Sequence, residues 1–195
     1  SIYAKNSNAH RGGHGKISIA RAFEVSSNIG IARTIVDLYE DKPQEFIDRL
    51  ARLGVSNKLD FELLGEAEPW IKNSNDSTWS GVSLPWISYG YELKMSALQI
   101  LALYNAVAND GELVKPYLVD RIQRGEQIVT SKKVEVLKPS ICSQNTISIL
   151  KDLLVGVVKN GTAKNIYSKI YSCAGKTGTA KIASEGSYSS DYRAS

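Results

Sequence analysis

Two short patterns in this sequence carry side chains suited to handling an acyl group: Ser26-Ser27-Asn28 near the start and Lys176-Thr177-Gly178-Thr179 near the end. A lysine on an edge strand can hold a substrate carboxylate. The glycine that follows lets a ligand approach the backbone, and a free N–H beyond it stabilises an oxyanion. Ser26 and Asn28 supply the matching half, a hydroxyl that relays a proton and a carboxamide that hydrogen-bonds an amide. Each pattern alone has a plainer explanation. The tetrapeptide also fits a polar strand edge or a turn, and Ser143-Gln144-Asn145 repeats Ser-x-Asn as a simple helix cap. Order and context distinguish Ser26, which lies between apolar helical stretches and well upstream of the lysine.

Competing chemistries fail at defining positions. Gly175-Lys176-Thr177 could close a phosphate-binding loop, but the glycine required five positions earlier is Ile170. His10 and His14 are separated by Arg11-Gly12-Gly13, which disfavours the helix that would align them as metal ligands, so they read as solvated loop residues. As no other histidine exists, a Ser-His-Asp triad is not expected. Cys142 and Cys173 have neither metal-ligand spacing nor a disulfide framework, which leaves their pairing and the redox compartment open. No cofactor and no metal is expected.

The elements that must position these residues can be read from periodicity. Residues 17–40 predict a helix, a tight break at Ser26-Ser27-Asn28 and a second helix. Asp41-Lys42-Pro43-Gln44 reads as a helix start with an acidic cap and an early proline, and Gly54 as its stop. Residues 55–92 read as irregular. Ser96-Ala97-Leu98-Gln99 is a capping box that opens a helix to about Asn109, ended by Gly111. Alternation over 112–138 predicts short strands, and Ser143 caps a helix that closes at Gly161. A strand is expected around Ile170–Ala174, leading into the lysine motif, with no recognisable closing element after it. Helices first and strands with one long helix later predict an α/β or α+β architecture.

Composition narrows the function class. Among 195 residues, 24 Lys and Arg oppose 20 Asp and Glu, for a net charge of +4; 43% of residues are hydrophobic and 23% charged. That is an ordinary globular balance, against disorder, collagen-like repeats and coiled coil. No apolar run approaches the ~18 residues of a membrane span, and residues 1–20 contain no apolar signal-peptide core. The basic residues are scattered rather than gathered on a stripe, so no nucleic-acid partner is expected.

The two motifs, in their order, resemble the second and third signatures of penicillin-binding proteins and serine β-lactamases. Between them, Trp86-Ile87-Ser88-Tyr89-Gly90-Tyr91-Glu92, Leu98-Gln99-Ile100, Tyr104 to Gly111 and Pro116 look like the class B penicillin-binding proteins. Val157-Val158 to Gly161-Thr162-Ala163, and Ala174 to Ala180, continue that likeness, which is closest to the division-type (septal) peptidoglycan transpeptidases. The resemblance implies a penicillin-binding protein/serine β-lactamase-like fold: a mainly helical lobe over 1–111, then strands and one long helix over 112–195 as part of an antiparallel sheet. It implies acyl transfer through a serine ester, with release of D-alanine and crosslinking of stem peptides. Ser26 is then a proton relay and Asn28 a ligand for the donor's amide. Lys176, Thr177 and Thr179 grip the terminal carboxylate of D-alanyl-D-alanine or of a β-lactam, Gly178 lies between them, and the Thr179 N–H is half of an oxyanion hole. Implied partners are peptidoglycan precursors and a glycan polymerase of the division machinery. The implied location is the outer face of the cytoplasmic membrane, on an anchor absent from this chain.

One departure stands against this agreement. The family's Ser-x-x-Lys nucleophile signature lies upstream of Ser-x-Asn, and residues 1–25 contain no such tetrad. Ser148-Ile149-Leu150-Lys151 has the spacing but falls downstream, inside an apolar-periodic helix, and reads as coincidence. The expectation is therefore an internal fragment, truncated at both ends: one wall of an active site, without its nucleophile and inert alone towards β-lactams. Two further readings remain open, a β-lactam sensor or hydrolase of the same superfamily and a non-catalytic structural module.

Overall fold

Serine side chains cap several of the helices, because a hydroxyl can accept the backbone N–H groups that the first helical turn leaves unpaired. The computed structural model of the chain describes residues 13–178 and the backbone of 180–184 and 187–194. It divides into two units, one made of Ser1–Glu40, Ser80–Tyr91 and Lys151–Ser195, the other of Asp41–Trp79 and Glu92–Leu150.

In the first unit, α1 (Ile19–Glu24) is capped by Ser18 Oγ, which accepts the Arg21 N–H at 3.1 Å. Helix α2 (Asn28–Tyr39) is capped by Ser27 Oγ, which accepts the Gly30 N–H at 3.2 Å. Between them the Ser26 N–H donates to Phe23 O (3.1 Å) and the Ser27 N–H to Ala22 O (2.8 Å), the paired bonds of a Schellman ending. The helix–break–helix expected over 17–40 is present. Helix α4 (Ser83–Ser88) buries Ser83, Leu84 and Ile87 and packs on α2.

The second half of α6 (Gln144–Asn160) completes this unit's core. Val157, Val158 and Ala163 are buried, with Phe23 of α1 and Cys173 packed against them. The end of α1 is stapled to the end of α6 by polar contacts. The Thr162 N–H donates to Glu24 O at 3.1 Å, and Arg21 Nη1 donates to both Glu24 Oε2 (2.8 Å) and Asn160 O (2.9 Å). Two glycines permit this approach. A Cβ at Gly156 would sit 2.5 Å from Glu24 Oε1, and one at Gly161 would overlap the Glu24 carbonyl oxygen.

The second unit holds α3 (Pro43–Leu50), which runs into a π-helical turn over Ala51–Val55 that Gly54 ends at φ 88°. It also holds α5 (Ala97–Ala108), whose capping box is complete: Gln99 N–H to Ser96 Oγ at 3.1 Å, and Ser96 N–H to Gln99 Oε1 at 2.7 Å. The strands here are antiparallel pairs: β1 (Trp70–Ile71) with β2 (Leu93–Lys94), β3 (Leu113–Val114) with β6 (Val136–Lys138), and β4 (Arg121–Arg124) with β5 (Gln127–Ser131). Beside the first pair, Lys72 is 6% exposed, and its Nζ donates to Glu92 Oε1 and to Thr78 O, each at 2.8 Å.

Four expectations need correction. The stretch 55–92 is not wholly irregular, since it contains β1 and α4; Pro85 falls in the first turn of α4, where its missing N–H has no partner to lose. The residue capping α3 is Lys42, not Asp41, and no side chain caps that helix. Ile170–Ala174 forms no strand. Among the described residues no strand pairs with this stretch, and the Gly175 N–H is drawn instead to Leu154 O of α6 at 3.2 Å. Beyond the lysine motif, β7 (Ala180–Ser184) and β8 (Ser187–Ala194) form an antiparallel hairpin that the sequence reading did not foresee.

The Gly161 contact gives a direct test. Gly161→Ala drives a methyl group into the Glu24 carbonyl and should lower the unfolding free energy by about 1–3 kcal/mol. Gly81→Ala, where a Cβ meets nothing within 4 Å, should stay within about 0.5 kcal/mol. Urea denaturation of the two variants checks both.

Candidate active site

Ser26 and Lys176 lie 150 residues apart in the chain, and the structure brings them into contact: Lys176 Nζ donates to Ser26 Oγ at 2.6 Å. The ammonium also donates to Thr177 O at 3.0 Å and sits 5.8 Å from the centre of the Phe23 ring. These acceptors and the ring face partly replace the water removed from a half-buried charge. Burial still penalises the charged form and holds the Lys176 pKa below the ordinary lysine value of 10.5.

The position of Ser26 follows from its backbone. It occupies the residue after the α1 cap, with φ +54°, a left-handed conformation that glycine adopts at no steric cost. A serine here accepts a strain of about 1–2 kcal/mol and gains a hydroxyl that a glycine lacks. Such strain concentrates at functional sites, where surrounding contacts over-determine it. Here those contacts are the two Schellman bonds and the lysine.

Asn28 is the first residue of α2 and is half-buried. Its carboxamide carries one donor group and one acceptor. Thr177 Oγ1 lies 2.6 Å from Thr162 Oγ1. At Gly178 a Cβ would meet nothing within 4 Å, so the backbone beside the lysine is open to approach. Thr179 and His10 lie outside the described residues. Ser148 is an exposed residue of α6. Cys142 and Cys173 are both free thiols.

Sequence reading missed Thr162 as a site neighbour. Its hydroxyl reaches Thr177 only because α6 and the loop after it fold back beneath the lysine segment, and no local periodicity signals that. It missed Phe23 as well, which packs partly buried against Val157, Val158 and Ala163 while its ring lies 5.8 Å from the ammonium.

An amine–hydroxyl pair thus sits at the helix break, two residues before Asn28. Comparison with known proteins places the chain in a family. The family described as penicillin binding protein transpeptidase domain matches residues 2–194, and the chain belongs to that family. A curated relative, the peptidoglycan D,D-transpeptidase FtsI homolog of Mesostigma viride, is 28% identical over 97% of this chain and 33% of its own length. The D,D-transpeptidase domain of a peptidoglycan glycosyltransferase from Eggerthella lenta superposes with a TM-score of 0.76 at 27% identity, covering 88% of this chain and 43% of that one. Penicillin binding protein 3 from Mycobacterium tuberculosis, solved with ampicillin, superposes at 0.75 and 25% identity, covering 89% and 40%. The fold is that of the penicillin-binding transpeptidases, mixed helices and antiparallel strands. The chain spans about a third of the length of the Mesostigma relative.

Two outcomes follow from the site's geometry. If Ser26 carries left-handed strain, Ser26→Gly should be more stable than Ser26→Ala by about 1 kcal/mol, since both lose the hydroxyl and only glycine relieves the backbone. Chemical denaturation of the pair measures the difference. The second outcome concerns pH. Between its depressed pKa and 10.5 the folded chain has released the Lys176 proton while the unfolded chain still binds it. Stability therefore rises with pH through that interval and is level with respect to this group below it. Lys176→Met should remove the rise, so wild type should gain on the variant in denaturation midpoint as pH climbs towards 10.5.

Proposed function

We propose that this chain is part of a peptidoglycan D,D-transpeptidase, and that it contributes the wall of the active site that relays protons and binds the substrate carboxylate. The contact that supports this reading most directly is the 2.6 Å bond between Lys176 Nζ and Ser26 Oγ, two residues before Asn28. In the proposed reaction a serine Oγ attacks the carbonyl between two D-alanines and gives up its proton. The carbonyl–nitrogen bond breaks, and Ser26, held by Lys176, passes a proton to the departing D-alanine amine. An amine of a second stem peptide then attacks the ester, and the serine recovers its proton.

Asn28 hydrogen-bonds the donor's amide; Lys176, Thr177 and Thr179 hold its carboxylate; and the Thr179 N–H steadies the oxyanion. The attacking serine belongs to a Ser-x-x-Lys tetrad outside these 195 residues. The same groups accept a β-lactam, whose carboxylate and strained amide mimic the substrate. The FtsI names of two relatives support a role in septal wall synthesis; the proposal extends this to the outer face of the cytoplasmic membrane, beside a glycan polymerase.

Intact-mass measurement of the parent polypeptide, with and without benzylpenicillin and followed by peptide mapping, tests this. An adduct on a serine outside the 195 residues is expected, while the chain alone stays unmodified. Lys176→Ala in the parent should slow adduct formation by about a hundredfold or more. No adduct on a folded parent, or an adduct on Ser148, overturns the proposal.

A further inference from the structure

The contacts around Lys176 close into a ring, and one residue outside both motifs completes it. The Thr162 N–H is bonded to Glu24 O, two residues before Ser26; Ser26 Oγ is bonded to Lys176 Nζ; Thr177 follows Lys176 in the chain; and Thr177 Oγ1 returns to Thr162 Oγ1 at 2.6 Å. Thr162 therefore bridges the two segments that carry the site, with its backbone on one and its side chain on the other. Its position is fixed from below, since Gly161 and Ala163 press against α1 and the buried end of α6.

We propose that Thr162 is a positioning residue: its hydroxyl donates to Thr177 Oγ1 and so leaves the Thr177 proton aimed at the substrate carboxylate. A hydroxyl with a free rotor can spend its proton on any neighbour. One whose oxygen already accepts a short hydrogen bond has its own proton confined to the remaining directions, and that proton is a stronger donor because chained hydrogen bonds polarise one another. The Thr177 carbonyl is separately engaged, as one of the two acceptors of the Lys176 ammonium. Loss of the Thr162 hydroxyl weakens the grip on a carboxylate while leaving the Glu24 bond, which uses the backbone, intact.

The inference rests on the transpeptidase reading above, and the experiment separates the two. The parent polypeptide is titrated with benzylpenicillin and with its methyl ester, and second-order acylation rates are compared. Thr162→Val should slow acylation by benzylpenicillin about tenfold and leave the slow reaction with the ester unchanged, since the ester has no carboxylate to hold. Thr162→Ser, which restores a hydroxyl, should return the rate to within about twofold of wild type. In a Thr177→Val background, Thr162→Val should have no further effect. Thr162→Ala is run in parallel, so that a valine variant with a lowered melting temperature does not decide the question. Equal slowing of acid and ester, or a Thr162→Val variant as fast as wild type, overturns the positioning role. A wild type that neither lactam acylates overturns the transpeptidase reading and this inference with it.

Discussion

A lysine ammonium withdrawn from water is the constraint around which the described site is arranged. A buried charge is tolerated only when polar partners replace its hydration. Lys176 finds them in the Ser26 hydroxyl and the Thr177 carbonyl, with the Phe23 ring alongside. One partner comes from its own segment and the others from a helix end at the far side of the sequence. The charge therefore fixes the separation between the two motifs, and the chemistry proposed for them depends on that separation.

Holding a helix end within 3 Å of a lysine requires rigidity on both sides, and α6 provides it. Its buried face supports Phe23 and Cys173 on one hydrophobic cluster. The Thr162 N–H just beyond it donates to the Glu24 carbonyl, Asn160 O in its last turn accepts from Arg21, and Leu154 O accepts from the Gly175 N–H. The helix thus holds α1 and the lysine segment on one support. Side chains at positions 156 and 161 would force that support away from Glu24, so the two glycines set the geometry of the site as surely as the polar residues that line it.

The Ser26 turn shows how a local rule and a functional requirement meet. A Schellman ending calls for a residue that tolerates positive φ, and glycine would satisfy it without strain. Serine keeps the fold of the turn and places a hydroxyl where the chain reverses. Because both its neighbouring bonds are backbone bonds, the side chain is left for the lysine. The cost in stability is small beside the usual margin of a domain and is met by packing elsewhere in the unit.

Much was legible in the sequence because it depends on residues close in the chain. The break at Ser26-Ser27-Asn28, the capping box at Ser96 and Gln99, the cap at Ser143 and the short strands over 112–138 each follow from polar residues or alternation within a few positions. The two motifs, with their order and spacing, identified the family. The exceptions were elements that rely on distant partners. Ile170–Ala174 is apolar enough for a strand but has none beside it among the described residues, and α4 hid behind Pro85 and a serine-rich stretch. Most of the site's geometry was hidden in the same way. Residue types at 26, 28 and 176 stated which chemistry was available, yet neither the 2.6 Å contact between Ser26 and Lys176, nor the lowered lysine pKa, nor the bridge made by Thr162 has any trace in a local window. Those arise when folding brings remote segments together and half-buries the ammonium, and only the folded chain specifies which atoms meet there.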